Sequence, residues 1–254
     1  MLNLYHHCRD GNIDKVIEQK GDINNINRGY YWDITPLMAA CIGGHKNIVK
    51  ELLEIKGIDI NAEDVDGRTA LWYATKNEHK NIVELLLLNK CIINKKDCEG
   101  STALHIATRN NDINCVNILL SHGADFEEQT INGNTVLHIA SFNNSIEILE
   151  KLLEYHPFLE ICSLGWNTPL MVAVDNRKIE IVKILIREGA NPNTKNIYKI
   201  SALEMAIYRK DIEIMKVLLD AGADKNHISN ENKNLIELCR EKDFIEGMLL
   251  LTTI

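Results

Sequence analysis

The stretch Asp97–Thr130, DCEGSTALHIATRNNDINCVNILLSHGADFEEQT, decides the fold. Asp97-Cys98-Glu99-Gly100 reads as a tight turn, because an Asp side chain bonds its own downstream backbone and Gly tolerates positive φ. Thr102 then offers a hydroxyl to cap a helix whose apolar face is Leu104, Ile106 and Ala107. That helix is short and ends near Arg109-Asn110-Asn111. A second helix places Ile113, Val116, Leu119 and Leu120 on one side and stops at His122-Gly123, and Ala124-Asp125 leads into the next turn.

Outward from this unit the same phrase returns as Thr35-Pro36-Leu37, Thr69-Ala70-Leu71, Thr102-Ala103-Leu104, Thr135-Val136-Leu137, Thr168-Pro169-Leu170, Ser201-Ala202-Leu203 and a worn Asn234-Leu235-Ile236. The first step is 34 residues and the others are 33, with one extra residue near Ile55-Lys56. A period of that size means a stack of like helix-turn-helix units, each too small to bury its apolar side alone. Pro36 and Pro169 stand at the first helical position, where a missing N–H costs nothing. Gly43-Gly44, Asn77-Glu78, Asn143-Asn144 and Asn176-Arg177 predict a left-handed Gly or Asn at the end of each first helix.

The expected architecture is all-α: one elongated array over residues 1–254, with six central repeats at 28–230 between caps at 1–27 and 231–254. The first unit keeps Leu4, Gly11, Val16 and the Gly21-Asp22-Ile23-Asn24 ending, and carries Lys15, Glu18, Gln19 and Lys20 on the outer helix, as a polar cap requires. The last keeps Leu238, Cys239, Phe244 and Leu250, although Leu249-Leu250-Leu251 is apolar for a terminus.

Bulk properties narrow the function classes. With 28 Lys plus Arg against 36 Asp plus Glu the net charge is −8, which argues against a phosphate-binding surface and hence against nucleic acid. No stretch approaches 18 uninterrupted apolar residues and the first ten lack an apolar run, so neither membrane insertion nor export is expected. The seven cysteines, Cys8, Cys41, Cys91, Cys98, Cys115, Cys162 and Cys239, fall mostly at different places in the repeat, which fits free thiols in a cytoplasmic setting.

The Thr-Pro-Leu-His-x-Ala phrase, the apolar second helix and the Gly-Ala-Asp ending together resemble the ankyrin repeat over nearly the full length. Ser101-Thr102-Ala103-Leu104-His105-Ile106-Ala107 with His122-Gly123-Ala124-Asp125 is a close match, as is Ile179-Glu180-Ile181-Val182-Lys183 with Gly189-Ala190-Asn191. The resemblance implies a solenoid with protruding β-hairpin loops, acting as a monomer that binds another protein through its concave face and hairpin tips. It also implies that the motif His bonds between neighbouring loops. That His is kept only at His105 and His138, with Met38, Trp72, Met171 and Glu204 elsewhere, and the Gly before the hairpin becomes Lys90 and His156. Local strain or repacking is expected at these copies. Asn61, Asn94, Asn193 and Asn226, each with a Leu eight residues upstream, resemble substrates of an asparaginyl hydroxylase; the alternative is that their side chains bond the hairpin backbone.

Catalytic chemistry finds no support. His6-His7-Cys8 groups nucleophile and base types, but adjacent residues on a helix diverge by about 100° and do not face one another. No Gly-Lys-Ser/Thr loop and no Gly-x-Gly-x-x-Gly occurs, and Cys91 and Cys98 lack His partners at zinc spacing. No enzyme activity, cofactor or metal is expected.

The candidate partner-binding residues are those that fail to repeat. Directly after the turn-opening residue stand Val65, Cys98, Ile131, Leu164 and Ile197, where stacking along the array and partner binding are both open readings. Later tips add Trp166, Tyr198 and Ile200, and first-helix ends add Phe142 and Tyr208. Repeats two and three present Lys76, Arg109, Asp66 and Glu99 instead. Tyr30-Tyr31-Trp32 decorates an enlarged first hairpin from Asn25 to Asp33. Aromatic side chains at loop tips are the usual anchors of interfaces. With no room for a second recruiting module, a simple binder is expected ahead of an adaptor. A stoichiometric inhibitor or immunity protein, or an effector acting on a host protein, is the alternative.

Overall fold

The structure, a computed structural model, describes residues 4–19, 26–229 and 232–253. The Gly21-Asp22-Ile23-Asn24 segment, Lys20 and Asn25 lie outside the described residues. Two compact units divide at Ile131/Asn132.

The first unit holds α1 (Leu4–Asp10), α2 (Ile13–Gln19), α3 (Pro36–Gly43), α4 (Lys46–Leu53), α5 (Ala70–Lys76), α6 (Lys80–Leu88), α7 (Ala103–Arg109) and α8 (Ile113–Ser121). The second holds α9 (Val136–Asn143), α10 (Ile146–Leu153), α11 (Pro169–Asp175), α12 (Ile179–Arg187), α13 (Ala202–Tyr208), α14 (Ile212–Asp220), α15 (Leu235–Glu241) and α16 (Ile245–Thr253). Each is all-helical, with first helices packed on first helices and second on second. Among the described residues, pairing outside helices is limited to isolated bridges at the hairpins, such as Lys195 with Ser201.

The helix starts follow the cap chemistry. Thr35, Thr69 and Thr168 accept the backbone N–H three residues on at 3.3 Å each, and Ser201 accepts that of Glu204 at 3.3 Å. In the short helices one column is always small: Ala40, Ala74 and Ala107 in the first unit, Ala140, Ala173, Ala206 and finally Cys239 in the second, all wholly buried. Small side chains there let successive first helices approach. The second helices bury a Leu column instead, Leu52, Leu86 and Leu119, then Leu152, Leu185 and Leu218. In α2 only Val16 is buried; Ile17 is exposed among mostly polar neighbours.

The first-helix ends correct one expectation. Left-handed residues are Gly44 and Asn111 in the first unit and Asn144 in the second, but Glu78 and Arg177 occupy that conformation where Asn77 and Asn176 were expected. Those two asparagines cap differently: the Asn77 amide donates to the Tyr73 carbonyl and the Asn176 amide to the Val172 carbonyl, both at 2.8 Å. The side chain thereby adds a second bond to a carbonyl that already accepts the same residue's N–H, and the turn passes to the next residue.

Second-helix ends use a left-handed residue too. Gly123, Gly189 and Gly222 have open space where a Cβ would stand, as does Gly57. Lys90 and His156 hold the same conformation, at φ 61° and 52°, with a side chain. The extra residue after α4 changes one ending: Ile58 N–H donates to the Ile55 carbonyl, whereas Cys91, Ala124, Ala190 and Ala223 reach back five residues.

Candidate protein-binding surface

Three hairpin tips are each built around one side chain. The Asp64 carboxylate accepts the N–H groups of Asp66 and Arg68 at 2.9 and 2.8 Å, Asp97 those of Glu99 and Ser101 at 3.0 and 2.7 Å, and the Asn196 carbonyl oxygen those of Tyr198 and Ile200 at 3.0 and 3.1 Å. In the first hairpin Tyr30 stands in this place and cannot do so. Its backbone pairs both ways with Ile34 instead, and Tyr31, Trp32 and Asp33 all take positive φ.

Backbone rungs tie tip to tip within each unit. Val65 N–H donates to the Trp32 carbonyl at 3.1 Å, Cys98 to Asp66 at 2.7 Å and Ile131 to Glu99 at 2.9 Å; in the second unit Leu164 donates to Asn132 at 2.9 Å and Ile197 to Gly165 at 3.4 Å. The residues of the apolar ladder are therefore the rung donors. This fixes their backbones while leaving Val65, Cys98, Ile131, Leu164 and Ile197 exposed. Stacking does not hide their side chains.

Behind the tips a second ladder runs through asparagines. Asn61 accepts Ile92 N–H at 2.7 Å, Asn94 accepts Asp125 N–H at 3.0 Å and Asn193 accepts Asp224 N–H at 2.8 Å, each from the following repeat. Glu160 does this work for Asn191 at 2.9 Å. The backbone-bonding reading of these asparagines holds at the three with an acceptor role; for Asn226 the structure gives its own N–H, donated to Asp224 at 2.9 Å.

The motif position is a polar hinge between repeats. The His138 Nδ1 accepts the Thr135 N–H at 3.1 Å, leaving Nε2 to donate to the Asn167 carbonyl at 3.0 Å on the next hairpin. Burial pushes this imidazole down to about 4, against hydrogen bonds to backbone that favour the charged form. His105, fully buried, accepts the Thr102 N–H at 3.2 Å. The substitutes repack as expected. Trp72 Nε1 donates to Asp97 at 2.9 Å, Met38 Sδ takes the Thr35 N–H at 3.5 Å, and fully buried Glu204 meets buried His227 at 3.1 Å.

The predicted residues divide between the two units. In the first unit, Tyr31 and Trp32 are 70% and 75% exposed, whereas Tyr30 is half-buried against Tyr5, 5.8 Å between ring centroids. Lys76 and Arg109 are exposed, and the Arg109 guanidinium reaches Ser101 Oγ at 3.4 Å. In the second unit Leu164, Trp166, Ile197, Tyr198 and Phe142 are exposed. Ile200 is half-covered, and so is Tyr208, whose ring carries Lys242 Nζ 4.9 Å from its centroid and whose hydroxyl donates to Glu204 at 3.4 Å.

Trp166 is the outlier. It stands at φ 58°, in the tip position filled by Gly67 and Gly100 in the first unit and Gly133 in the second, all at φ 72–74°. A Cβ at Gly100 would lie 2.8 Å from Ile131 N, and one at Gly133 2.9 Å from Leu164 N. The rung after Trp166, from Ile197, is the longest of the five at 3.4 Å. A bulky residue in this conformation costs roughly 1–2 kcal/mol, and at 60% exposure Trp166 regains little by packing.

Sequence reasoning missed one cluster on the first unit. Arg68 stacks over Trp72 at 4.9 Å and pairs with Asp66 at 2.9 Å, while Tyr73 donates to Asp64 at 2.6 Å. Burial, and then the Asp64 hydrogen bond, push the Tyr73 hydroxyl up to about 12. The signal was the pair Trp72-Tyr73 following a hairpin with two acids, visible only once the hairpin folds back over the helix. No group of three His, Cys, Asp or Glu side chains among the described residues is arranged to hold a metal ion, and no described helix is long and apolar enough to cross a membrane.

Capped helix pairs, hairpins tied by backbone rungs and a side-chain ladder between repeats define a helical-repeat scaffold that displays loops. The model of ankyrin repeats matches in three copies, over residues 4–97, 86–162 and 158–229, and the chain belongs to the ankyrin repeat family. Among solved structures it is similar to the ankyrin repeat domain of Bcl-3, described as a unique member of the IkappaB protein family, at TM-score 0.78 and 26% identity over 85% of this chain and 98% of that one. It is likewise similar to the human ASB11 ankyrin repeat domain, at TM-score 0.72 and 26% identity over 86% and 98%. A rice (Oryza sativa subsp. japonica) protein named a probable E3 ubiquitin-protein ligase, XBOS33, is 44% identical over 57 residues, which are 22% of this chain and 11% of that protein.

Proposed function

We propose that this chain is a non-catalytic protein-binding module whose hairpin tips and first-helix ends hold a partner protein. Ankyrin repeats are a general protein–protein interaction scaffold. The observation that carries the reading is Trp166, a large aromatic side chain kept exposed in a left-handed tip conformation that three equivalent tips fill with glycine. Strain retained where the fold does not need it points to function. Leu164, Ile197 and Tyr198 beside it, and Phe142 on α9, extend the apolar surface in the same unit. In the first unit Tyr31, Trp32 and Ile131 offer further anchors, with Lys76 and Arg109 as charged contacts. Half-covered Tyr30, Ile200 and Tyr208 belong to the same proposed surface and offer it less area. The cytoplasm is the setting we favour, since seven cysteines at mostly unlike places in the repeat fit a reducing compartment.

The test is affinity capture with the chain as bait, comparing wild type with Trp166→Gly/Tyr198→Ala and with Leu88→Ala, which removes an exposed Leu from a second helix. Saturable partners are lost from the double variant at least tenfold, the loss expected of removing interface anchors worth about 1.4 kcal/mol or more, and kept by Leu88→Ala. Equal retention by all three baits sinks the reading.

A further inference from the structure

We infer that the neighbouring hairpin tips at 163–167 and 196–200 take an acidic, apolar segment of the partner, its hydrophobic side chains on Leu164, Trp166, Ile197 and Tyr198 and its carboxylates on Lys195 and Lys199. This rests on the protein-binding reading above and adds the chemistry of what is bound.

The two tips form one surface. Ile197 N–H reaches the Gly165 carbonyl at 3.4 Å, and the Asn196 amide donates to Asn167 Oδ1 at 3.1 Å. Four large apolar side chains, 46–67% exposed, therefore stand on hydrogen-bonded neighbours. Lys195 and Lys199 are exposed on the same hairpin as Ile197 and Tyr198, and neither has an acidic partner among the described residues. Glu160, the acid of the adjoining repeat, spends both oxygens inside the scaffold, on Asn191 N–H at 2.9 Å and the Thr194 hydroxyl at 2.6 Å.

The first unit shows the contrast. There the hairpin lysines are paired, Lys95 with Glu63 at 2.8 Å and Lys96 with Glu128 at 2.6 Å, and Arg68 pairs with Asp66. In a chain of net charge −8, two uncompensated cations beside an apolar patch are a selective feature. Charge complementarity of this kind chooses between partners and speeds encounter, and an ammonium at the edge of a desolvated patch attracts a carboxylate more strongly than one in open water. Lys199, at φ 60°, occupies the same tip position as Trp166. The aromatic anchor and the cation are thus held by the same strained turn in successive hairpins.

The experiment measures fluorescence anisotropy of labelled 12-residue probes on the full chain. One probe alternates Glu with Leu and Phe, a second carries Lys for Glu, and a third keeps Glu but replaces the apolar residues with Ser; phosphatidylserine vesicles form a separate arm. Wild type should bind the acidic apolar probe about tenfold more tightly than either other peptide. Lys195→Glu/Lys199→Glu, whose positions are exposed, should reverse the order of the first two. An unchanged order in that variant overturns the inference, as does wild type binding the vesicles and no peptide. Partner capture separates the two readings. If Trp166→Gly/Tyr198→Ala loses the partner while the charge reversal keeps it, the protein-binding surface stands and the acidic segment falls; if neither loses it, both fall.

Discussion

Trp166 shows how a residue can be conspicuous in sequence for one reason and informative in structure for another. Its size drew notice as an unshared aromatic; its φ of 58° shows that the scaffold gains nothing by it. Trp166→Gly is accordingly expected to raise stability by about 1 kcal/mol, read as a higher urea midpoint at unchanged slope. Lys90→Gly and His156→Gly, at second-helix ends in different units, should each stabilise by a similar amount, since the equivalent glycines have open space around the missing Cβ. Gly100→Ala should do the reverse, with a Cβ only 2.8 Å from a rung nitrogen. The motif histidine makes a pH prediction. Because burial lowers His138 from 6.5 to about 4, the unfolded chain takes up a proton in that window and the folded chain does not. Its contribution is complete above pH 6.5 and is lost as pH falls toward 4, on the order of 3 kcal/mol. Urea titrations across that window should show the slope in wild type and a flatter one in His138→Gln.

At the scale of elements the repeat was legible because cap and small-residue chemistry recur at fixed spacing. Thr35, Thr69, Thr168 and Ser201 marked helix starts that the structure places where expected. The short-helix ends were half legible: two adjacent residues can each terminate a helix, one by a left-handed turn and one by a side-chain bond, and Asn77 and Asn176 took the second route. The rungs that join the tips were not legible, since backbone hydrogen bonds between residues 32 or 33 apart leave no mark on side-chain type. The buried Ala column makes the element-scale prediction. Ala173→Leu should overpack α11 against its neighbours and cost about 1–3 kcal/mol by denaturant titration. Ala173→Cys should cost much less, because Cys239 already fills the equivalent place in α15. Glu204 belongs here too. Glu204→Ala leaves buried His227 without its side-chain partner and should destabilise the second unit by roughly 1–3 kcal/mol, the cost of an unsatisfied buried polar group.

At the scale of the whole molecule, two units share one grammar and differ in what they display. In the first, charged hairpin residues pair among themselves and the exposed aromatics sit on the first hairpin; in the second, the tips at 163–167 and 196–200 are apolar, and Lys195 and Lys199 stand beside them without an acidic partner among the described residues. That difference was visible residue by residue in the chain, but its meaning required knowing that the rungs pin each backbone and leave the side chains outside. If what fails to repeat is the binding surface, a bound partner must cover it. Carbene footprinting of the chain with and without a captured partner tests it most directly, because the label marks side chains wherever solvent reaches them. Leu164, Trp166, Ile197 and Tyr198 should become protected in the complex while Leu88 and Ile245, exposed on second helices, stay labelled. Protection of Leu88 and Ile245 with Trp166 and Tyr198 still labelled would contradict it.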